Sequence, residues 1–243
     1  MDSTPTAPRD FALTRWSLIR RAGEADADVA RAALEELCRT YWLPLYAFAR
    51  RSGHDAHRAE DLVQGFFADL IARRDLEHSS AEKGRFRSFL LAALQNFASK
   101  QRAAERALKR GGGAKALAID AHDADARLGL AAPTNESPER AFERAWAREL
   151  LSGALDDLER EYAGTGRRAV FDALKTTLQG ESYDAQRVAA ELGATEGAVK
   201  VAAHRLRTRF GEALRARIAQ TVTSSEEVEA ELRELLRALS ESS

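Results

Sequence analysis

Lys200, His204, Arg205, Arg207 and Arg209 crowd the second half of a segment, Tyr183 to Phe210, that reads YDAQRVAAELGATEGAVKVAAHRLRTRF. Ammonium, imidazole and guanidinium groups at such spacing donate to phosphate oxygens and to base edges, which is recognition chemistry for nucleic acid. The apolar residues around them say what holds them in place. Val188, Ala189 and Leu192 share one face of a short helix. Gly193 suits a left-handed stop, and Thr195 suits the cap of a second helix with Glu196 in its first turn. That helix turns Val199, Ala202, Ala203 and Leu206 inward and leaves the cations, with Val201, on the other side. The layout is a helix-turn-helix whose second helix enters a major groove. A helical hairpin with a solvated basic face is the plain alternative.

A second basic segment, GRFRSFLLAALQNFASKQRAAERALKR, runs from Gly84 to Arg110. With Phe86, Phe89 and Phe97 inward, Asn96, Lys100 and Arg87 are expected on an outward surface. An amide beside cations can hydrogen-bond an extruded base while the cations hold its backbone. The net charge of −1 conceals this separation of sign. Lys83 to Arg110 carries eight basic residues and one acid, and Glu196 to Arg217 carries six and two. Asp55 to Glu82 holds seven acids against three bases, and the tail Ser224 to Ser243 holds six against two. Two local positive surfaces therefore exist in a nearly neutral chain.

The same inventory argues against catalysis and metal binding. No nucleophile, base and orienting group stand in a recognisable set. Cys38 is the single cysteine, which excludes an internal disulfide and fits a reducing cytoplasm. Gly111-Gly112-Gly113 opens no phosphate loop, since no GxxxxGK[ST] pattern follows. His54 and His57 lack a paired HxxxH or CxxC partner, and His78 adds none. No run of about 18 apolar residues is long enough to span a bilayer. The start, MDSTPTAPRD, does not read as a secretory signal.

Nearly all periodicity has the helical repeat, so the fold is expected to be all-α. Helices are predicted over 14–22, 27–51 (bent before Pro44), 56–73, 85–109, 139–162, 167–178, the helix-turn-helix and 226–239. The first four form one bundle, and 111–138, rich in Gly, Ala, Asp, Asn and Pro, reads as a flexible linker. Its acids Asp120, Asp123 and Asp125 suit either a solvated tether or a mimic of nucleic-acid charge. The stripe Val228, Leu232, Leu235, Leu236 and Leu239 is expected to pack on the second domain.

The run AEDLVQGFFADLI (Ala59–Ile71), followed by GRFRSFLLAALQNFASKQR (Gly84–Arg102), resembles region 2 of bacterial RNA polymerase sigma factors. The similar branch is the extracytoplasmic-function (ECF) group of the sigma-70 family, whose region 4 Glu149–Arg217 resembles. TRWSLIRRA and YWLPLYAFARRSG look like the opening of one subgroup, and together the likeness covers about residues 12–220. It implies region 2 over 12–110, a linker over 111–138, region 4 over 139–222 and an acidic helical extension over 223–243. In region 2, Glu60, Asp61 and Gln64 match positions that dock on the polymerase β′ clamp. A carboxylate there can pair with partner arginines and fix register. Asn96 matches the asparagine beside the melted −10 element, with Lys100 and Arg102 following it. Arg85 and Arg87 match basic residues that approach the DNA backbone. Phe89 stands where many relatives carry tryptophan. In region 4, Lys200, Val201, His204 and Arg205 match positions that read the −35 element, and Arg207 and Arg209 are placed for phosphates.

The resemblance thus implies a cytoplasmic, non-enzymatic promoter-specificity subunit without cofactor. Its implied partners are core RNA polymerase (β′ clamp and β flap) and promoter DNA, with no membrane. An anti-sigma factor or a Ser/Thr kinase is open as regulator. The tail after Val222 is open as a stabiliser of region 4, a shield for its basic surface or a landing site for a regulator. The rival readings are a free-standing helix-turn-helix regulator and a helical enzyme or signalling adaptor.

Overall fold

In a computed structural model, residues 27–72, 85–107, 121–129, 135–222, 224 and 226–240 are described. The fold is all-α, every regular element among the described residues being helical. The chain divides into two compact units, Met1–Ala147 with Ala219–Ser243, and Arg148–Ile218.

The first unit is built on α1 (Ala27–Arg51), α2 (Ala56–Ala72) and α3 (Phe86–Ala107). Helix α1 continues through Pro44, which removes one rung of its hydrogen-bond ladder. It ends at Gly53, whose positive φ of 92° lets the His54 N–H donate back to the Ala49 carbonyl. Asp55 then caps α2, accepting from the Arg58 N–H at 2.8 Å. Inside lie Tyr41, Leu45, Tyr46, Phe66, Phe86, Leu90 and Leu94. Tyr41 meets the edge of Phe86 at 5.2 Å between ring centres, and Phe66 meets Phe97 at 5.9 Å.

Three further pieces join this unit: α4 (Ala121–Leu128), the opening of α5 (Pro138–Gly164), and α9 (Glu226–Ser240). Helix α4 falls inside the stretch expected to be a flexible linker. Ala124 and Leu128, four residues apart, are buried, and Asp125 holds Arg50 by two bonds at 2.9 and 2.7 Å. The Tyr46 hydroxyl also donates to Asp125 at 2.9 Å. Asp125 is therefore a structural anchor; Asp120 and the side chain of Asp123 lie outside the described residues. Ser137 accepts from the Arg140 N–H and Pro138 takes the first helical position, where its missing N–H costs no bond. The acidic extension also differs from expectation, since it belongs to the first unit and not to the one bearing the helix-turn-helix.

The second unit contains the remainder of α5, α6 (Arg168–Leu174), a 3₁₀ turn (Lys175–Gln179), α7 (Ala185–Leu192) and α8 (Glu196–Ala219). Leu158, Tyr162, Phe171, Leu174, Val188, Ala189, Val199, Ala203 and Leu206 form its core. The helices predicted over 27–51, 139–162 and 226–239 are present with ends within two residues, those over 56–73 and 85–109 are present as far as residues are described, and the one over 167–178 divides into α6 and the 3₁₀ turn. The one predicted over 14–22 lies outside the described residues.

Candidate nucleic-acid interface

In the second unit, the local sequence fixes both ends of the turn between α7 and α8. The Asp184 carboxylate accepts from the Gln186 and Arg187 N–H groups at 2.9 and 3.1 Å, capping α7. Gly193 closes that helix at φ 60°, ψ 35°, a conformation costly for any residue with a Cβ. Thr195 Oγ1 accepts from the Ala198 N–H at 3.2 Å and starts α8. The buried positions Val199, Ala203 and Leu206 then orient the helix, so that Lys200, Val201, His204 and Arg205 share its exposed side. Val201 is 49% exposed and offers an apolar contact among these polar groups.

Lys200, His204, Arg205 and Arg207 are exposed and have no ion-pair partner among the described residues. Arg209 differs. Its guanidinium reaches Glu161 at 2.8 Å and Glu212 at 2.6 Å, and those carboxylates raise its pKa above the usual arginine value. An exposed pair of this kind is weakly held, so Arg209 can exchange its partner for a phosphate.

In the first unit, the sequence-derived candidates fall into three groups. Glu60 and Gln64 lie one turn apart on α2, joined by a 2.9 Å bond from Gln64 Nε2 to Glu60 Oε1. Asp61, with a side chain 61% exposed, lies 3.0 Å from His57 Nδ1. On α3, Asn96, Lys100 and Arg102 are all exposed. Asn96 and Lys100 lie one turn apart and form a single strip.

Arg85 and Arg87 form the third group, and for Arg87 the expectation of an open cationic surface fails, while Arg85 is partly exposed. Arg87 is only 5% exposed. Its Nε donates to Glu231 Oε1 at 2.6 Å and its Nη2 to Glu231 Oε2 at 3.1 Å. Glu143 lies 3.3 Å from Nη1, and the guanidinium carbon stands 4.5 Å over the ring of buried Trp146. Burial works against the charge of Arg87, but the bonds and charge of Glu231, backed by Glu143 and Glu234, leave its pKa above the ordinary value. Arg85 binds the same carboxylate, Nε to Oε2 at 3.0 Å. Glu231 itself is 1% exposed.

Register explains the miss. Arg87 precedes Leu90 by three residues and Leu94 by seven, which places it on the inward stripe of α3. Glu231 follows Val228 by three and precedes Leu235 by four, so it stands in the apolar stripe of α9. A lone acid at a core position needs a buried cation, and that signal is readable in the sequence.

No family model matches the chain, and no curated protein or solved structure matches it. Among the described residues, no three His, Cys, Asp or Glu side chains stand together as a metal site would. No described helix is long and apolar enough to cross a membrane. Burial, with Glu35 adding to it, pushes the Cys38 thiol up to about 11, which keeps the thiolate scarce near neutral pH.

Proposed function

We propose that this chain is a promoter-specificity subunit of bacterial RNA polymerase, similar to extracytoplasmic-function sigma factors, and not itself an enzyme. The observation that carries the reading is the exposed side of α8. Lys200, Val201, His204 and Arg205 stand together, with no acid among the described residues engaging them, on a helix capped by Thr195 and held by a buried core. That is the side-chain chemistry of a major-groove reader. Support from the first unit is the exposed strip of Asn96 and Lys100, with Arg102 nearby, suited to unpaired −10 bases. Glu60, Asp61 and Gln64 supply an acidic, partly exposed turn of α2 for the β′ clamp of core polymerase. The polymerase performs the bond making, in the cytoplasm, and the chain directs it to −10 and −35 elements.

Core polymerase and the purified chain should co-elute as one complex, and Asp61→Arg should lower that affinity at least ~100-fold through like-charge repulsion. Unchanged affinity of the variant removes the docking assignment. Absence of any complex, with tight duplex binding by the chain alone, replaces the reading with a free-standing regulator.

A further inference from the structure

We infer that the acidic helix α9 is a latch on the first unit's cationic pair, held shut by Glu231 and opened when the chain engages nucleic acid. The inference rests on the reading of α3 as a DNA-facing element, and concerns the regulation of that surface.

Three observations carry it. A single carboxylate, Glu231, receives both Arg85 and Arg87, at 3.0 and 2.6 Å, so both cations are occupied by one residue of a distant segment. The geometry is the planar, two-oxygen clasp that a guanidinium also makes with a phosphate group. A DNA phosphate is therefore a direct competitor for the same donors. Moreover, a buried ion pair gains little net stability over apolar residues of the same volume, because both charges must be stripped of water. An ion pair here is thus poor permanent glue, but it suits an exchangeable contact.

The electrostatics of the whole helix agree. Glu226, Glu227, Glu229, Glu231 and Glu234 outnumber Arg233 and Arg237 on α9. Of these acids, Glu231 meets Arg85 and Arg87 directly. The early acids also favour the helix itself, since they lie against the positive end of its dipole. The anchor is mixed: Leu235, fully buried, holds the apolar side one turn beyond Glu231. Loss of either grip weakens the latch. With α9 in place, Arg87 cannot reach a nucleic-acid backbone, whereas Asn96, Lys100 and Arg102 are open on α3. With α9 displaced, Arg85 and Arg87 join them.

The test uses the full chain and a fluorescent oligothymidylate strand, titrated by anisotropy at several salt concentrations. Leu235→Glu removes the apolar anchor and adds a negative charge, which alone would weaken binding to DNA. It should nevertheless bind about tenfold or more tighter than wild type. Its affinity should also fall more steeply with salt, by roughly one or two released counterions. Adding Arg87→Ala to that variant should cancel most of the gain. Helix content measured by circular dichroism establishes that each variant is folded. Should Leu235→Glu cost the fold, Glu231→Gln decides the matter in the same direction, with a smaller gain of about threefold. A folded, undocked variant with wild-type affinity and salt dependence overturns the latch and leaves the sigma-factor reading standing. If neither wild type nor variants bind the strand, and core polymerase does not change this, that reading fails and takes the latch with it.

Discussion

Two sets of cations share this chain and meet opposite fates. On α8, Lys200, His204, Arg205 and Arg207 stand in solvent, and no acid among the described residues holds them. On α3, Arg87 is buried and gripped by a carboxylate 144 residues away, which also pairs with the partly exposed Arg85 just before the helix. Both sets read alike as basic residues among apolar ones. What separates them is register against the core. Cations outside the Val199, Ala203 and Leu206 stripe of α8 reach water, whereas Arg87 lies on the stripe of Leu90 and Leu94 and must find a partner indoors. A basic stretch is therefore a binding surface only where the helical period points its charges outward.

The comparison can be broken most forcefully by deleting one charge from each set. Arg87→Ala leaves Glu231 buried without its main partner and should cost about 3–5 kcal/mol of stability. Lys200→Ala should change stability by less than about 0.5 kcal/mol. Urea melts of the two variants measure this, and equal losses would mean that burial does not distinguish the two sets. A finer contrast lies within α8. Arg205→Ala should relax preference at one −35 base pair by ~1–3 kcal/mol, whereas Arg209→Ala should weaken all sequences about equally. Binding profiles over a promoter library separate the two, and matching profiles would refute that division. Part of the Arg209 effect should be muted, because the residue leaves Glu161 and Glu212 to reach a phosphate.

The smallest effect concerns pH. Cys38 has its thiol pKa raised to about 11 from an ordinary 9.0. The unfolded chain then loses this proton first as pH rises, so the thiol's contribution to stability is intact below 9.0 and is lost as pH climbs toward 11. Alkylation of native Cys38 at pH 8 should accordingly be slower than that of the unfolded chain. Equal rates would mean that the side chain is not shielded.

Much of the fold was legible in the sequence because long helices advertise themselves twice, through apolar period and through their ends. Gly193 and Thr195 marked the turn of the helix-turn-helix, and the structure uses them as stop and cap, with Asp184 as a further cap on α7. Helix α4 was harder. Its apolar content is essentially one pair, Ala124 and Leu128, amid Ala and Asp, and the bond that holds it joins Asp125 to Arg50 across 75 residues. No local pattern contains that partner. The placement of α9 was hidden for the same reason, although Glu231 at a core register signalled that a buried cation waited elsewhere. Exposure on α3 was readable for Asn96 and Lys100 and misread for Arg87, because composition was weighed above phase.

The central claim is that these surfaces serve promoter recognition within a polymerase. Transcription from a random promoter library by core RNA polymerase, with and without the purified chain, tests it most directly. The account predicts new start sites that depend on the chain, preceded by a shared pair of elements, and weakened at the upstream element by Arg205→Ala. Correctly folded protein that associates with the enzyme yet yields no new start site would contradict it.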